Sequence, residues 1–268
     1  SRVCKGTVCS KPTPSVTKKR ETVQRSLKMS NKGEIITEER IGFEKSNKAL
    51  GCLYKEWYEL ISKQLSEIDG INIELGCGAS FIDQINKSIK KTDVFLKSNT
   101  DCKLNARDIG KNFENKISNL ILVNVFHHIS DPELFLKSAE KSLLIGGRII
   151  MIEPSNNYWS RLVFKLIGHE PFDTRQIEWK FESKDPLLDS NQALSWIIFE
   201  RDYQKFKNLF PRFSLIRKKN MMPFSYLLSG GHSFNTRIGK FIRITRSFEK
   251  FFFDKYLGMF NLICLEKI

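Results

Sequence analysis

A short apolar run that ends in a glycine turn is the feature that most constrains how this chain can fold. Residues 71–75 read Ile-Asn-Ile-Glu-Leu and continue directly into Gly76-Cys77-Gly78. Apolar runs of this length are typical of buried strands, and glycines at a strand end let the backbone bend tightly and approach a ligand closely. We therefore expect a strand with a ligand-binding turn at its tip, followed by a helix near residues 80–90 whose N-terminus points at the same place.

Strand-like and helix-like segments alternate after this turn. Strands are expected around 92–95, 120–126 and 148–153, and a helix over 133–144 that Gly146-Gly147 should end. The 120–126 run is apolar except at Asn124, as in strands that are covered on both faces. Such alternation predicts parallel βαβ units, so the predicted fold class is α/β with a doubly wound, mostly parallel sheet.

Further elements flank this core. Residues 48–66 have the apolar spacing of an amphipathic helix that packs on the core. A helix is expected over 200–209 and a strand over 213–219. The alternating pattern of residues 259–267 predicts a strand at a sheet edge or in a hairpin.

The predicted domain organisation is a tail followed by one domain. Residues 1–33 are polar and lack hydrophobic periodicity, so we interpret them as a flexible basic tail. The domain spans 34–268, with cap helices in 34–66. The stretches 155–200 and 223–257 are predicted to be insertions that cover the ligand-binding side as lids.

The net charge of +14 is concentrated at the two ends of the chain. Residues 1–35 hold nine Lys/Arg and two Asp/Glu, and residues 201–268 hold 14 and four, whereas 36–200 is slightly acidic with 21 and 24. This distribution argues against a basic groove across the whole protein and favours a basic C-terminal surface that faces an anionic partner. Residues 235–257 mix basic and aromatic side chains. The simpler expectation is a cap helix that buries its apolar face on the domain, and the alternative is peripheral contact with an anionic membrane.

Cysteine usage and the length of the apolar runs predict the compartment. The six cysteines show no CxxC and no paired metal-ligand spacing, so we expect free thiols and no metal site. The apolar runs are far shorter than a membrane span, and the first residues lack the apolar core of a signal peptide. A cytoplasmic protein is therefore expected, with a position at the inner membrane surface as the alternative.

Three sequence blocks, taken together, resemble a known family. They are Glu-Leu-Gly-Cys-Gly at 74–78, Asn-Val-Phe-His-His-Ile-Ser-Asp-Pro at 124–132 and Leu-Leu-Ile-Gly-Gly-Arg-Ile-Ile-Met-Ile-Glu-Pro at 143–154. In this order they resemble the class I S-adenosylmethionine-dependent methyltransferases, and most closely the methyltransferase type 11 group. The resemblance covers roughly residues 48–180. It implies a Rossmann-like seven-stranded sheet with an antiparallel C-terminal strand, S-adenosyl-L-methionine as cofactor and S-adenosyl-L-homocysteine as product.

The resemblance also assigns roles to individual residues. The cofactor-binding residues that it implies are Glu74, Gly76, Cys77, Gly78, Asp93, Asn105, Ala106 and Asn124. Asp93 would accept hydrogen bonds from the ribose hydroxyls, for which an acceptor-only carboxylate is suited, with Asp101 as the alternative acid and a turn residue as the structural alternative. Asn105 stands where the family often has Asp beside the adenine amine. Asn124 would lie near the methionine moiety, or would simply end a strand.

Histidines are the expected catalytic groups. Methyl transfer from a sulfonium is an in-line displacement, to which orientation can contribute ~7–11 kcal/mol, and an alcohol acceptor must also lose a proton. His127 and His128 follow the fourth strand, and His169 follows the fifth, so these three are candidates for a general base. Glu153 is a second candidate base, or a turn cap before Pro154.

The expected function is methyl transfer to a small-molecule or glycan acceptor, through an oxygen, with a lipid-linked saccharide as one possible acceptor. Two alternatives stay open: an RNA or protein methyltransferase that holds its partner with the basic ends, and a cofactor-binding module without turnover. The Asn/Asp-Pro-Pro-Tyr/Phe pattern expected for base N-methylation is absent after the fourth strand, which makes a nucleic acid partner the less favoured one.

Overall fold

The computed structural model describes residues 41–268, except 85, 96–97, 168–169, 184, 186–188 and 232–238. The tail predicted for 1–33 therefore lies outside the described residues. The strands are β1 (Ile71–Leu75), β2 (Lys90–Asp93), β3 (Cys102–Lys103), β4 (Ile117–Val123), β5 (Leu143–Pro154), β6 (Phe213–Met221) and β7 (Phe260–Lys267). The labelled α-helices are α1 (Lys48–Ser62), α2 (Ile109–Asn112), α3 (Pro132–Ser142), α4 (Tyr158–Ile167), α5 (Leu194–Trp196), α6 (Tyr203–Leu209), α7 (Ser225–Leu228), α8 (Gly239–Phe252) and α9 (Asp254–Leu257).

All seven strands belong to one sheet, in the order β3-β2-β1-β4-β5-β7-β6. The first five pair in parallel, and β7 is antiparallel to both of its neighbours, β5 and β6. This arrangement confirms the predicted α/β class, the mostly parallel seven-stranded sheet and the antiparallel C-terminal strand. After β1 the chain first builds outward through β2 and β3 and then returns to the other side of β1 with β4, so the strand order reverses between β1 and β4.

Helices cover both faces of the sheet, which explains why its central strands carry apolar side chains on both faces. In β4, Leu120 and Leu122 pack in the core cluster that contains Phe135 of α3, whereas Ile121 packs in the opposite cluster with Trp57 of α1. Successive side chains of a strand point to opposite faces, so one run supplies both cores. Each fully buried large aliphatic side chain contributes about 1.5–3 kcal/mol.

Helix α1 confirms the helix predicted for residues 48–66, although it ends at Ser62. It begins after Asn47, whose side-chain oxygen accepts a hydrogen bond from the Leu50 backbone N–H at 3.1 Å. The Asn47 amide donates to the carbonyl of Ser229 at 2.9 Å. This buried side chain therefore caps the helix and also joins it to the segment that follows α7.

The α-helix predicted near residues 80–90 is wrong. The described part of this segment contains only a 3₁₀ helix, Ile82–Gln84. Ser80 has a positive φ of 30°, and its hydroxyl accepts from the Ile82 N–H at 3.2 Å, while the Asn86 side chain accepts from the Ser88 N–H at 2.9 Å. Local side-chain bonds of this kind compete with helical backbone bonds.

The expectation that Gly146-Gly147 would end the third helix is also wrong. Helix α3 ends at Ser142, and both glycines lie within β5. The pairing of β5 with β4 shifts register between Leu143 and Arg148, and Gly146 adopts a φ of +76° in this stretch. Glycine serves here to accommodate the irregularity in the strand rather than to stop a helix.

The prediction of an edge or hairpin position for residues 259–267 needs correction. Strand β7 lies between β5 and β6 and is buried at seven of its eight positions. The edge is formed by β6, whose central residues are exposed. Polar residues such as Asn261 and Glu266 suggest a strand with one face in water, but β7 accommodates both side chains between two neighbouring strands. The alternating pattern therefore does not tell an edge strand from an internal one.

Helix α8 does not bury its apolar face, contrary to the simpler expectation for residues 235–257. Five of its apolar side chains are exposed, namely those of Phe241, Ile244, Phe248, Phe251 and Phe252. The inward face carries Ile242, Arg246 and Glu249 instead, and Arg246 is only 4% exposed. The helix is therefore held on the domain through charged side chains, with its aromatic face outward. None of the helices in the described ranges combines the length and apolar character that a membrane span requires.

Candidate functional site

The residues predicted to bind a ligand gather at the carboxyl ends of β1, β2 and β4. Gly76 follows β1, Asp93 ends β2, and Asn124 follows β4. The strand order reverses between β1 and β4, and in open α/β sheets ligands bind outside the carboxyl ends of strands at such a point. The topology therefore brings together residues that the sequence separates by almost 50 positions.

The glycine turn is open on one side and tightly packed on the other. Gly76 and Gly78 have positive φ angles of 61° and 50°. A Cβ on Gly76 would lie 2.7 Å from a methyl of Val125, whereas a Cβ on Gly78 would meet nothing nearer than the Gly76 carbonyl at 4.0 Å. Gly76 is thus required for contact with the loop after β4, and Gly78 leaves its backbone accessible to a bound molecule.

Glu74 supports this turn from inside the protein. Its carboxylate accepts hydrogen bonds from the Tyr58 hydroxyl of α1 and, at 2.5 Å, from the Ser80 hydroxyl. Burial raises the pKa of Glu74 to about 7, although the bonds from Ser80 and Tyr58 oppose this shift. Both carboxylate oxygens are therefore engaged within the protein, and Glu74 fixes the shape of the turn. The neighbouring Cys77 is buried and donates its N–H to the Thr92 carbonyl at 3.0 Å.

Asp93 faces the glycine turn from the adjacent strand. One carboxylate oxygen lies 3.5 Å from the Gly78 nitrogen, and the other accepts from the Phe95 N–H at 3.1 Å. The alternative acid, Asp101, is exposed, and its carboxylate accepts from the Lys91 N–H at 2.7 Å. Of the two acids, Asp93 is the one in contact with the turn.

Two buried amide oxygens border the turn without a hydrogen-bond partner in the described part of the chain, those of Asn99 and Asn124. Asn99 donates its amide to the Gly78 carbonyl at 2.8 Å. Asn124 has a φ of +55° and lies at the end of β4. Unpaired buried polar atoms are costly, and these two oxygens are acceptor positions that a ligand can fill.

Asn105 and Ala106 follow β3 at the same edge of the sheet. The Asn105 side-chain oxygen accepts from the Arg107 N–H at 3.0 Å and so caps the 3₁₀ helix Ala106–Asp108. A carbonyl oxygen has two lone pairs, so this oxygen retains one acceptor position for a ligand.

A second cluster lies after β4 and contains His127, which is 3% exposed. Its Nδ1 lies 2.6 Å from Glu153 and its Nε2 lies 3.1 Å from Glu170. Burial disfavours the charged ring, but the two carboxylates outweigh this effect and raise the pKa of His127 to about 10. Both ring nitrogens are occupied, which leaves His127 no free position to accept a proton from a substrate.

His128 has the opposite character. Burial and the neighbouring His127 lower its pKa to about 4, so the ring is neutral near pH 7. Its Nε2 lies 3.7 Å from Glu170, and about a fifth of the side chain is exposed. Burial opposes ionisation of Glu170, but its contacts with His127 and His128 lower its pKa to about 2.

Glu153, the other candidate base, acts as a cap. Its Oε1 accepts from the backbone N–H groups of Val125 and Phe126, at 2.9 and 2.8 Å, while Oε2 faces His127. Because it joins the ends of β4 and β5, it shapes the loop that presents both histidines.

Sequence reasoning missed two residues of the site, Glu170 and Asn99. Glu170 follows His169 in a Gly-His-Glu-Pro sequence, and this pair of polar residues could have marked it as a candidate. Its contact with His127, 43 positions earlier, could not be predicted from the sequence. Asn99 stands in a polar stretch without any pattern. His169 and His232 lie outside the described residues.

Comparison with known proteins reveals the fold. No family model matches the chain, and no curated protein does. Among solved structures, an S-adenosylmethionine-dependent methyltransferase from Archaeoglobus fulgidus matches with a TM-score of 0.50 and 13% identity, over 80% of this chain and 93% of that chain. Geranyl diphosphate C-methyltransferase from Streptomyces coelicolor A3(2) matches with a TM-score of 0.49 and 13% identity, over 82% and 80%. A putative type 11 methyltransferase from Sulfolobus solfataricus gives 0.39 and 14%, over 78% and 91%. The first likeness shows that this chain has the Rossmann-like fold of the S-adenosylmethionine-dependent methyltransferases.

Proposed function

We propose that this protein transfers a methyl group from S-adenosylmethionine to an oxygen of a small-molecule or glycan acceptor. The observation that carries the proposal is the glycine turn at the tip of β1, with the Asp93 carboxylate and two unpaired amide oxygens beside it. These groups surround the point where the strand order reverses, which is where this class of sheet binds its ligands.

The groups at the turn fit such a cofactor. Accessible backbone at Gly78 suits close approach of the nucleoside, and Asp93 can accept from the ribose hydroxyls. The free oxygen of Asn124 is an acceptor for the amino group of the methionine part, and the remaining lone pair of Asn105 is an acceptor for the adenine amine. The cofactor, when bound, supplies a methyl group activated by a positively charged sulfur.

His128 is the group that we assign to the acceptor's proton. His127 is held between Glu153 and Glu170, whereas His128 is neutral near pH 7 and partly exposed. A neutral imidazole within reach of an alcohol can accelerate its deprotonation by about 10²–10⁴-fold. His169 remains a candidate on the sequence alone.

Cofactor binding is tested by calorimetric titration with S-adenosylhomocysteine. We expect Asp93→Ala to weaken binding by about 1–3 kcal/mol, because ribose hydroxyls lose their acceptor. Asp101→Ala is the matched control: it removes an acid that contacts the Lys91 backbone instead, and should leave the affinity unchanged. Equal affinity of the wild type and Asp93→Ala, or no heat with the wild type, would contradict the proposal.

Proton removal is tested by an acceptor screen with radiolabelled methyl donor. We expect His128→Gln to keep its affinity for S-adenosylhomocysteine and to lose turnover by about 10²-fold or more. Full turnover in this variant would refute the assignment of His128. Tight cofactor binding without any methylated product from glycan, lipid or RNA pools would favour a binding module, and salt-sensitive RNA methylation would favour the RNA alternative.

We also propose that the enzyme works against an anionic membrane surface, on a lipid-linked acceptor. The exposed aromatic face of α8 is continued by three exposed side chains on α4, Tyr158, Leu162 and Leu166, which recur every fourth residue and so form one stripe. A chain of ring contacts joins the two helices: Trp159 contacts Phe224 at 5.3 Å between centroids, Phe224 contacts Phe253 at 5.7 Å, and Phe253 contacts Phe248 of α8 at 5.7 Å. We call this surface, made of the outer faces of α4, α8 and α9, the aromatic surface.

Basic side chains surround the aromatic surface and favour a lipid bilayer as its partner. Arg161 and Lys165 are exposed on α4, and Arg243, Lys250 and Lys255 are exposed on α8 and α9. Arg161 lies 5.0 Å from the ring centroid of Tyr158. Apolar rings framed by Lys and Arg are the composition of helices that lie in a membrane interface, where the rings enter the acyl boundary and the cations meet lipid headgroups.

A further inference from the structure

We infer that His127, His128 and Glu170 form a binding site for a divalent first-row transition metal ion. The three side chains come from two separate segments, His127 and His128 after β4 and Glu170 after α4, and each offers one ligand atom. These atoms all lie within 4.8 Å of one another. Two imidazoles and one carboxylate are a ligand set used for such ions in proteins, with further positions left for water or substrate.

The spacing of the three atoms suits a shared ion. His127 Nε2 is 3.1 Å and His128 Nε2 is 3.7 Å from the same Glu170 oxygen, Oε2. Ligands bound at about 2.0–2.2 Å to one ion lie about 3.0–3.5 Å apart, so small side-chain movements would suffice for coordination. The Ser190 hydroxyl also donates to Glu170 Oε2, at 3.2 Å, and helps to fix that carboxylate.

Glu153 provides the outer contact that metal-bound histidines generally have. It lies 2.6 Å from His127 Nδ1 and is itself held by two backbone N–H groups. A carboxylate at one ring nitrogen fixes the proton there and turns the other nitrogen toward the metal. The ring that touches Glu170 is therefore already oriented for coordination through Nε2.

Charge complementarity also favours a dication. Two carboxylates, Glu153 with no exposed side-chain surface and Glu170 with 22% exposed, converge on the same histidine. Neutral imidazole is the form that binds metals, so a doubly charged ion would replace the proton between His127 Nε2 and Glu170 and balance both carboxylates in its place. Buried charges that lack full compensation are costly, so such an ion would also stabilise the loop after β4.

This inference concerns the same cluster as the proposed base and changes how it would act. With an ion bound, His128 Nε2 is a ligand rather than a proton acceptor. The two roles are distinguishable, because a chelator would abolish turnover in the metal-dependent case and leave it unchanged if His128 acts alone. Metal binding itself needs neither cofactor nor acceptor, so its failure and the failure of the methyltransferase proposal are separate results.

The test is a titration of tag-free full-length protein with Co²⁺, followed through its visible absorption, with Zn²⁺ competition. We expect saturable binding of one ion per chain. Glu170→Gln and His128→Gln should each weaken binding at least about tenfold, and Glu153→Gln should weaken it by about 10–100-fold through the orientation of His127.

Glu133→Gln is the control, since Glu133 is an exposed carboxylate that pairs with Lys137 on the surface of α3. It should bind Co²⁺ as the wild type does, and circular dichroism of every variant verifies folding. The inference is overturned if the wild type binds no ion at one-to-one stoichiometry, or if folded Glu170→Gln and His128→Gln both retain wild-type affinity.

Discussion

At the scale of single residues, Glu74 is an instructive case because it is an ionisable group placed where water does not reach. It is 1% exposed and depends on two hydroxyl groups, those of Tyr58 and Ser80, for its hydrogen bonds. Its pKa is raised to about 7, chiefly by burial. The folded protein therefore holds the Glu74 proton more tightly than the unfolded chain does, and stability decreases as pH rises from about 4.5 to about 7.

We expect Glu74→Gln to reveal this penalty. Glutamine cannot ionise, so the free energy of unfolding of the variant should rise relative to the wild type by about 1–3 kcal/mol between about pH 5 and about pH 8. Urea denaturation at a series of pH values measures the difference. A difference that stays constant over this range would show that Glu74 does not titrate there.

The sequence predicted the residues of the site unequally well. Gly76, Gly78, Asp93 and Asn124 could be placed together because each stands at the end of a strand, and parallel strands bring their carboxyl ends to one edge. Glu170 and Asn99 could not, since they stand in irregular segments where no periodicity relates sequence position to location. The opposite protonation of His127 and His128, adjacent in sequence, depends on which carboxylates face each ring, and this is a tertiary property.

At the scale of elements, α8 shows how a helix can be held on a domain through buried ion pairs. Arg246 donates to Asp254 at 2.6 Å, to Glu249 at 3.1 Å and to Glu56 of α1 at 3.0 Å or slightly more. Glu249 in turn accepts from the backbone N–H groups of Phe224 and Ser225. One guanidinium thus joins α1, α8, α9 and the segment before α7.

Arg246→Met should loosen this attachment. It leaves several carboxylates without their cation in a largely buried place, which costs about 3–5 kcal/mol of unfolding free energy. Arg243→Met, an exposed arginine one turn earlier on the same helix, is the matched control and should change stability by less than about 0.5 kcal/mol. Chemical denaturation of both variants gives the comparison, and equal stabilities would contradict a structural role for Arg246.

The orientation of α8 also marks a limit of sequence reasoning about elements. A pattern of apolar and charged residues at helical spacing identifies two faces but not which face is inward. Burial is usually assigned to the apolar face, and here the carboxylates of Glu56 and Asp254 reverse that assignment by accepting a buried arginine. Likewise, the segment near residues 80–90 has an amphipathic composition, and its Ser and Asn side chains decide against a helix.

At the scale of the whole molecule, the aromatic surface and the basic C-terminal region coincide. Residues 201–268 hold 14 Lys/Arg against four Asp/Glu, and the exposed rings of Phe248, Phe251 and Phe252 lie within the same region. Exposed rings that contact one another, as Phe252 contacts Phe248 and Phe251, are typical of a surface that binds a partner. Their combination with cations motivates a test on the intact protein.

We expect the wild type to float with phosphatidylglycerol–phosphatidylcholine vesicles, less so as salt increases, and weakly with phosphatidylcholine alone. Replacing Phe248, Phe251 and Phe252 by Ser should abolish flotation without lowering the affinity for S-adenosylhomocysteine. Ile145→Ser with Ile177→Ser, two exposed apolar residues outside the aromatic surface, is the control. No flotation of the wild type at low salt would end the membrane proposal.

The position of β7 has a consequence for how the protein is made. Strand β6 precedes β7 in the sequence but pairs only with it, and β7 pairs with β5 across more than a hundred residues, as in the register of Arg148 with Glu266. During synthesis, β5 therefore presents an unpaired edge until residues 260–267 have emerged, and β6 has nowhere to dock. Contacts over such distances form slowly, and open strand edges invite association between nascent chains. We therefore expect the protein to need a chaperone during translation, because β5 and β6 find their partner only when β7 has been synthesised.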